Sequence, residues 1–200
     1  MVGTLMLLVS LNASPVEEFK TAWHNVRDYT CVMEVYERKG RKERFRVYKY
    51  SFMRPKWIKM IVIEGSDKGG KAAYNPENGK VYARKPGLAG KIRIKLSPDN
   101  PLVKSLRGTK ITESDFGYLL LEIKNGRQLK VIGDTTINGK QVVGINFLKP
   151  NGINTTIYFD KTSHFPVYLV EKDSTGQLIH WVKYRDLKVN VGLKKEDFEI

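Results

Sequence analysis

Cysteine occurs once in 200 residues, as Cys31, and histidine only three times, as His24, His164 and His180. A single thiol excludes an intramolecular disulfide framework and an all-thiolate metal site within one chain. No two histidines stand at ligand spacing, so neither a metal centre nor another cofactor is expected. Cys31 lies in TCVMEVYE, a segment with strand patterning, where it is expected to act as a small buried hydrophobe.

Catalytic motifs are equally scarce. Asp115-Phe116-Gly117 matches the metal-binding triplet of kinases in letters, but no HRD loop and no glycine-rich loop precedes it, and a helix start explains the same residues. Lys68-Gly69-Gly70-Lys71 lacks the spacing and the Ser or Thr of a phosphate loop and reads as a turn. The acid pairs Glu17-Glu18 and Glu196-Asp197 suit helix-dipole or solvation roles. His180 sits among apolar neighbours, where a satisfied core histidine is expected before a general base. The chain reads as a binder and not as an enzyme.

Only one long apolar stretch stands out, Leu5 to Leu11, within an uncharged 14-residue start, MVGTLMLLVSLNAS. It is too short to span a bilayer and suits the apolar region of a secretory signal, with Asn12-Ala13-Ser14 offering small residues for cleavage. It lacks one signal feature, since no Lys or Arg precedes Leu5. Residues 1–14 are therefore expected to be a signal peptide, either complete or cut short at its start, and an extracytoplasmic, cell-envelope location follows. No charged or low-complexity linker divides residues 15–200, which are expected to form a single domain and a monomer.

What the chain does hold is apolar alternation and positive charge. Hydrophobic residues make up 41% and aromatics 10%, enough for a substantial core. The formal charge of +14 is concentrated in two segments: residues 36–59 carry ten Lys or Arg against two Glu, and residues 80–110 carry nine against one Asp. Lys91, Arg93 and Lys95 alternate with Ile92, Ile94 and Leu96, and Arg44 and Arg46 alternate with Phe45 and Val47. These five cations are expected to form a basic outer face. That face would either be a solvated Lys-rich surface or attract an anionic membrane, an acidic envelope protein or nucleic acid. No RNP-type, KH or helix-turn-helix signature supports the nucleic-acid option, which stays the weakest.

Along the chain, Phe19, Trp23 and Val26 fall on one face of a helix over 15–28, with Ser14 as cap and Pro15 at its first position. Strands are predicted over 29–37, 43–52, 56–64, 71–75, 80–84 and 91–96, with Lys39-Gly40, Gly69-Gly70 and Asn78-Gly79 as turns. A helical turn follows over 101–106. A second helix, capped by Ser114 or Asp115, carries Leu119, Leu120 and Ile123 and stops at Asn125-Gly126. Strands resume over 129–133, 141–148, 153–160, 166–172 and 177–189. The sum is about eleven antiparallel strands with two or three helices, a mainly β (α+β) chain whose sheet must curl. The last hairpin is apolar on both faces: Leu169, Val182 and Tyr184 alternate with Tyr168, Val170 and Trp181. One of those faces is expected to bury against something besides an ordinary core.

Several features together resemble the LolA-like family of periplasmic lipoprotein carriers, whose broader relatives include the stress-signalling regulator RseB. They are the exported start, the amphipathic helix leading into Tyr29, and the strand that enters Arg54-Pro55 ahead of Lys56-Trp57-Ile58-Lys59-Met60. Further along come Tyr74-Asn75-Pro76 before Lys80-Val81-Tyr82, the helical interruption after Asp115, and the C-terminal signatures Tyr158-Phe159-Asp160, Phe165-Pro166, Asp173 with Gly176, Asn190, Leu193 and Phe198. The resemblance covers nearly all of residues 15–200. It implies a curled, incomplete antiparallel β-barrel whose helices cover the concave face and enclose an apolar cavity for acyl chains, with Arg54-Pro55 as the family's strand-entrance pair. On that basis Trp57, Ile61, Tyr82, Ile92, Ile94, Phe147, Tyr158, Leu169 and Trp181 are expected to line the cavity, capped by Phe19, Trp23, Leu119 and Ile123. The function implied is an extracytoplasmic carrier of lipid or of the acyl chains of lipoproteins. The alternative is an envelope protein-interaction or stress-signalling module of the same fold.

Overall fold

The computed structural model describes residues 14–87 and 92–200. The apolar run at the start, and Lys91 of the expected basic face, lie outside the described residues. The first helix, α1 (Pro15–His24), begins where Ser14 Oγ accepts the Glu17 backbone N–H at 3.3 Å, with Pro15 in its first turn and Glu17 and Glu18 facing the positive end of the helix dipole. It ends earlier than its apolar spacing suggested, and Val26 packs into the core from the turn beyond it.

Eleven strands follow the expected order. They are β1 (Asp28–Lys39), β2 (Lys42–Met53), β3 (Trp57–Gly65), β4 (Lys71–Asn75), β5 (Lys80–Arg84), β6 (Ile94–Leu96), β7 (Arg127–Ile137), β8 (Lys140–Leu148), β9 (Asn154–Asp160), β10 (Pro166–Lys172) and β11 (Leu178–Val189), with α2 (Phe116–Asn125) between β6 and β7. All pair antiparallel in one sheet of order β6-β5-β4-β3-β2-β1-β11-β10-β9-β8-β7. Two meanders, β1–β6 and β7–β11, are thus joined by pairing of the first and last strands, and β6 and β7 remain as edges. The result is the open, curled, mainly β barrel expected from the sequence.

Cross-strand partners share a face, so the register sorts the side chains. Tyr29, Cys31 and Met33 stand opposite Phe52, Tyr50 and Tyr48, and on the other side Met33 and Val35 oppose Tyr184 and Val182. Leu169, Ile157 and Ile145 continue the same row through β10, β9 and β8. This inner face receives Phe19 and Trp23 from α1 and Phe116, Leu119 and Ile123 from α2, all buried in one continuous cluster. Each fully buried side chain of this size contributes roughly 1.5–3 kcal/mol relative to exposure.

Helix α2 starts at Asp115, whose carboxylate accepts the Gly117 and Tyr118 N–H groups at 2.9 and 3.2 Å and forms an ion pair with Lys56 at 3.0 Å. The kinase-like triplet is therefore a helix cap. Gly126 ends the helix for a different reason from the one its residue type suggested. Its φ of −69° is open to any residue, but a Cβ there would meet Phe147 Cδ2 at 2.4 Å. Close approach to a buried ring, and not a left-handed turn, requires glycine at this position.

Candidate functional site

The space between the helices and the sheet is the natural place to look for a site, and it is filled by aromatic rings. Phe116 stacks on Tyr29 with centroids 4.7 Å apart and meets Phe165 at 5.5 Å, Tyr184 at 5.2 Å, Phe19 at 6.0 Å and Trp23 at 6.1 Å. Phe19 in turn meets Phe159 at 5.1 Å and Phe165 at 6.0 Å. Both helices are joined to the sheet through this cluster.

Toward one end the inner face becomes polar. Glu171 on β10 is 3% exposed, opposite His180 on β11 and Thr155 on β9. Its carboxylate pairs with the Arg107 guanidinium, with Lys149 Nζ at 2.5 Å and with His180 Nδ1 at 3.1 Å. Lys149 also reaches Glu122 of α2 at 2.6 Å. The buried Glu37 carboxylate accepts the backbone N–H groups of Leu106 and Arg107 at 3.2 and 3.4 Å. Burial alone would raise the Glu171 carboxyl, but the His180 hydrogen bond and the charges of Lys149 and Arg107 outweigh it and hold the group well below the usual carboxylate range. Glu122 moves the other way, pushed up by burial against a weaker pull from Lys149. The network fastens α2 and the segment ahead of it to β1, β10 and the β8–β9 turn. Thr155 Oγ1, fully buried beside it, has no hydrogen-bond partner among the described residues.

Of the thirteen residues expected to line or cap a cavity, Phe19, Trp23, Leu119, Ile123, Phe147 and Leu169 meet in the inner cluster. Ile94 lies on the inner side of the edge strand β6, paired with Ala83, and Ile92 is 69% exposed. Trp57, Ile61, Tyr82, Tyr158 and Trp181 stand on the outer face. Their immediate neighbours in sequence, or their strand partners, set this placement: Ile58 faces inward opposite Phe52, which turns Trp57 outward, and Val182 faces inward opposite Val35, which turns Trp181 outward. Outside, Trp57 is covered by Phe198 from the C-terminal turn, with centroids 5.9 Å apart. Much of the interior is filled by residues outside that set, among them Tyr29, Tyr50, Phe52, Phe116, Phe159 and Ile157. Two open clefts, of about 300 and 420 Å³, lie on the outer side, one along the C-terminal turn beside Trp57 and Tyr82, the other beside Thr156 and Val170.

The expected basic face is divided between the two sides. Arg44 and Arg46 share the inner parity of β2, opposite Glu37 and Val35. Arg46 is committed locally, to Ser66 O at 3.0 Å, Tyr48 Oη at 3.2 Å and the Asp67 carboxylate. Arg93 and Lys95 flank the Tyr82 ring on the outer side, at 4.8 and 6.0 Å. These residues do not form one cationic field.

Arg54, of the strand-entrance pair with Pro55, clamps the end of α1. Its Nε donates to Val26 O at 2.6 Å and its Nη2 to Trp23 O at 2.9 Å, with the guanidinium over the Trp23 ring at 4.8 Å. Arg54→Ala is expected to lower stability by about 1–2 kcal/mol through the lost carbonyl and ring contacts. Arg54→Lys should not restore it, since an ammonium lacks the planar fork. Urea unfolding of the three proteins measures the difference.

Geometry of this kind can be compared with solved structures. The chain superposes on an uncharacterized conserved protein from Thermus thermophilus with a TM-score of 0.58 at 8% identity, over 92% of this chain and 90% of that one. The lipoprotein LppX of Mycobacterium tuberculosis matches at 0.56 and 11%, over 90% and 95%. MucB, from the Pseudomonas aeruginosa MucA/MucB complex, matches at 0.54 and 11%, over 94% of this chain and 61% of MucB. The chain has the fold of these proteins. The resemblance expected from the sequence is borne out at that level, and the chain spans about three fifths of the MucB it matches. No family model and no curated protein matches the sequence.

Proposed function

We propose that the chain is a non-enzymatic binding protein of the cell envelope that takes an acyl chain of a lipid or lipoprotein onto its inner face when α2 and the segment ahead of it lift. The observation that carries this reading is the way the cover is fastened: apolar contact over the inner face and a ring of ion pairs at its rim, Arg107–Glu171–Lys149–Glu122. Such a cover can be exchanged for a ligand. A chain of a dozen methylenes supplies roughly 9 kcal/mol on burial, against roughly 1.5–3 kcal/mol for each of the buried side chains Phe116, Leu119 and Ile123 that α2 withdraws. The fold shared with a lipoprotein and with MucB is in keeping with an envelope location. Residues 1–14 would be removed on export, so N-terminal sequencing should find a chain beginning near Ser14 in the envelope fraction.

A second reading has its own observation. The inner face is already filled by Phe19, Phe116 and Phe159, which suits a protein-interaction module, and MucB was solved bound to MucA. Native mass spectrometry of protein purified without detergent, with titration by a fluorescent fatty acid, separates the two. The carrier reading expects co-purifying lipid or saturable uptake, strengthened in Phe116→Ala, where room has been made. Absence of uptake by both proteins, with the fold intact, would sink it and leave the interaction module.

A further inference from the structure

An antiparallel sheet with one face on a core normally turns polar side chains outward. The outer face of this sheet does not. Phe45 (β2), Tyr36 (β1), Trp181 (β11), Tyr168 (β10) and Tyr158 (β9) form a continuous row, with ring centroids 5.9 Å apart for Phe45–Trp181, 6.1 Å for Tyr36–Trp181, 6.4 Å for Tyr168–Trp181 and 6.3 Å for Tyr158–Tyr168. The row crosses β8 at Gly144 and ends on the 45% exposed Ile132 of β7. Gly144 makes that crossing: a Cβ there would lie 2.7 Å from Ile132 Cγ1 and 3.0 Å from Tyr158 Cε1, so the two side chains close over its bare backbone. All five rings are half-buried, each with a free flank. Cross-strand stacking accounts for a single pair such as Tyr36 and Trp181; it does not require six side chains in line across seven strands.

The charges around the row lean to one sign. The outer carboxylates Glu34 and Glu43 are paired, with Arg185 and Arg38, and the exposed Glu64, opposite Val47, is the counterweight, with no cationic partner among the described residues. Lys183 lies over the middle of the row, 5.0 Å from the Trp181 ring and 5.8 Å from the Tyr168 ring, and has no carboxylate partner among the described residues. Lys49 and Lys172, exposed to either side, have none there either. Amphipathic rings, Trp and Tyr above all, with surplus lysines beside them are the composition that settles at the headgroup level of an anionic bilayer.

We propose that this outer row is a docking face for an anionic membrane surface, with Trp181 and Tyr168 entering the headgroup region and Lys183 meeting lipid phosphates. This does not depend on the carrier reading, since it uses the opposite side of the sheet. Protein is mixed with vesicles of phosphatidylcholine alone or of phosphatidylcholine with phosphatidylglycerol, and binding is followed by co-sedimentation and by quenching of tryptophan emission with brominated lipid. Trp23 and Trp57 are buried, so a quenched signal that disappears in Trp181→Phe belongs to Trp181. The proposal expects binding to the anionic vesicles, weakened by salt, and about fivefold weaker in Lys183→Gln, which removes the charge and keeps most of the side chain's length. Equal binding to both vesicles, unquenched Trp181, or full retention in Lys183→Gln would overturn it. Concentration-dependent dimerisation that shields Trp181 from lipid would also overturn it and assign the row to a second copy of the chain.

Discussion

Phe116→Ala should lower the stability of the folded chain by about 3–5 kcal/mol, the range for a large aromatic truncated in a filled core. Phe116 is fully buried and touches rings from α1 (Phe19, Trp23), from β1 (Tyr29), from β11 (Tyr184) and Phe165 at the entry to β10. Among the described residues, no other side chain joins α1, α2 and the central strands through as many rings. Its loss leaves a cavity at the first residue of α2, next to the Asp115 cap, so relaxation would have to move the helix. Phe45→Ala, on the half-exposed outer row, should cost much less and serves as the control. Because Phe19 and Phe116 share partners, the double alanine variant should cost less than the sum of the single ones. Denaturant unfolding measures all four variants, Phe19→Ala included. A loss below about 1.5 kcal/mol for Phe116→Ala would mean that α2 lies loosely on the sheet, with little packing to forfeit.

The strands and turns were legible because their signals are local. Alternation in 43–52 and 141–148, and glycines at Gly40 and Gly79 with positive φ, place most of the strands within a residue or two, but β7, expected over 129–133, runs from Arg127 to Ile137, and β6, expected over 91–96, from Ile94 to Leu96. The face of each side chain was harder to read. Trp57 and Ile58, or Trp181 and Val182, are apolar neighbours, and a one-residue choice sends every side chain of a strand to the other face. What decides between them is not local: Ile58 faces inward because Phe52 does, and Trp57 is sheltered outside by Phe198, from the far end of the chain. The rim network is still less local. Glu37, Arg107, Glu122, Lys149 and Glu171 come from five separate elements, and pairing of β1 with β11 is needed to bring Glu37 and His180 to adjacent strands. No spacing in the sequence announces such a cluster. Arg46 shows the reverse case, a residue assigned to a surface field from its alternation and found tied to Asp67 and Tyr48.

Glu171→Gln is expected to destabilise the protein strongly at neutral pH and to remove the share of its acid sensitivity that this carboxylate carries. The carboxylate is almost fully buried and answers Arg107, Lys149 and His180. An amide of the same shape leaves Arg107 without its carboxylate and Lys149 with Glu122 alone. Breaking a buried pair from one side typically costs about 3–5 kcal/mol, because the partner charge stays desolvated. The pH dependence follows from the direction of the shift. Held well below its usual range in the folded state, Glu171 binds a proton more readily in the unfolded chain, whose carboxyl titrates near about 4.3. Its contribution is therefore fully present above that pH and drains away as the pH falls below it toward the folded value. Wild type and Glu171→Gln should differ by several kcal/mol at about pH 7, and the gap should narrow steadily once the pH falls below about 4, while still being open at about pH 3. If opening of the cover is what admits a ligand, the same window should raise uptake of the fluorescent fatty acid by the wild type, while the variant takes it up readily at neutral pH. A stability difference that stays constant across the whole range would show that the loss comes from packing, and that Glu171 does not hold the rim by its charge.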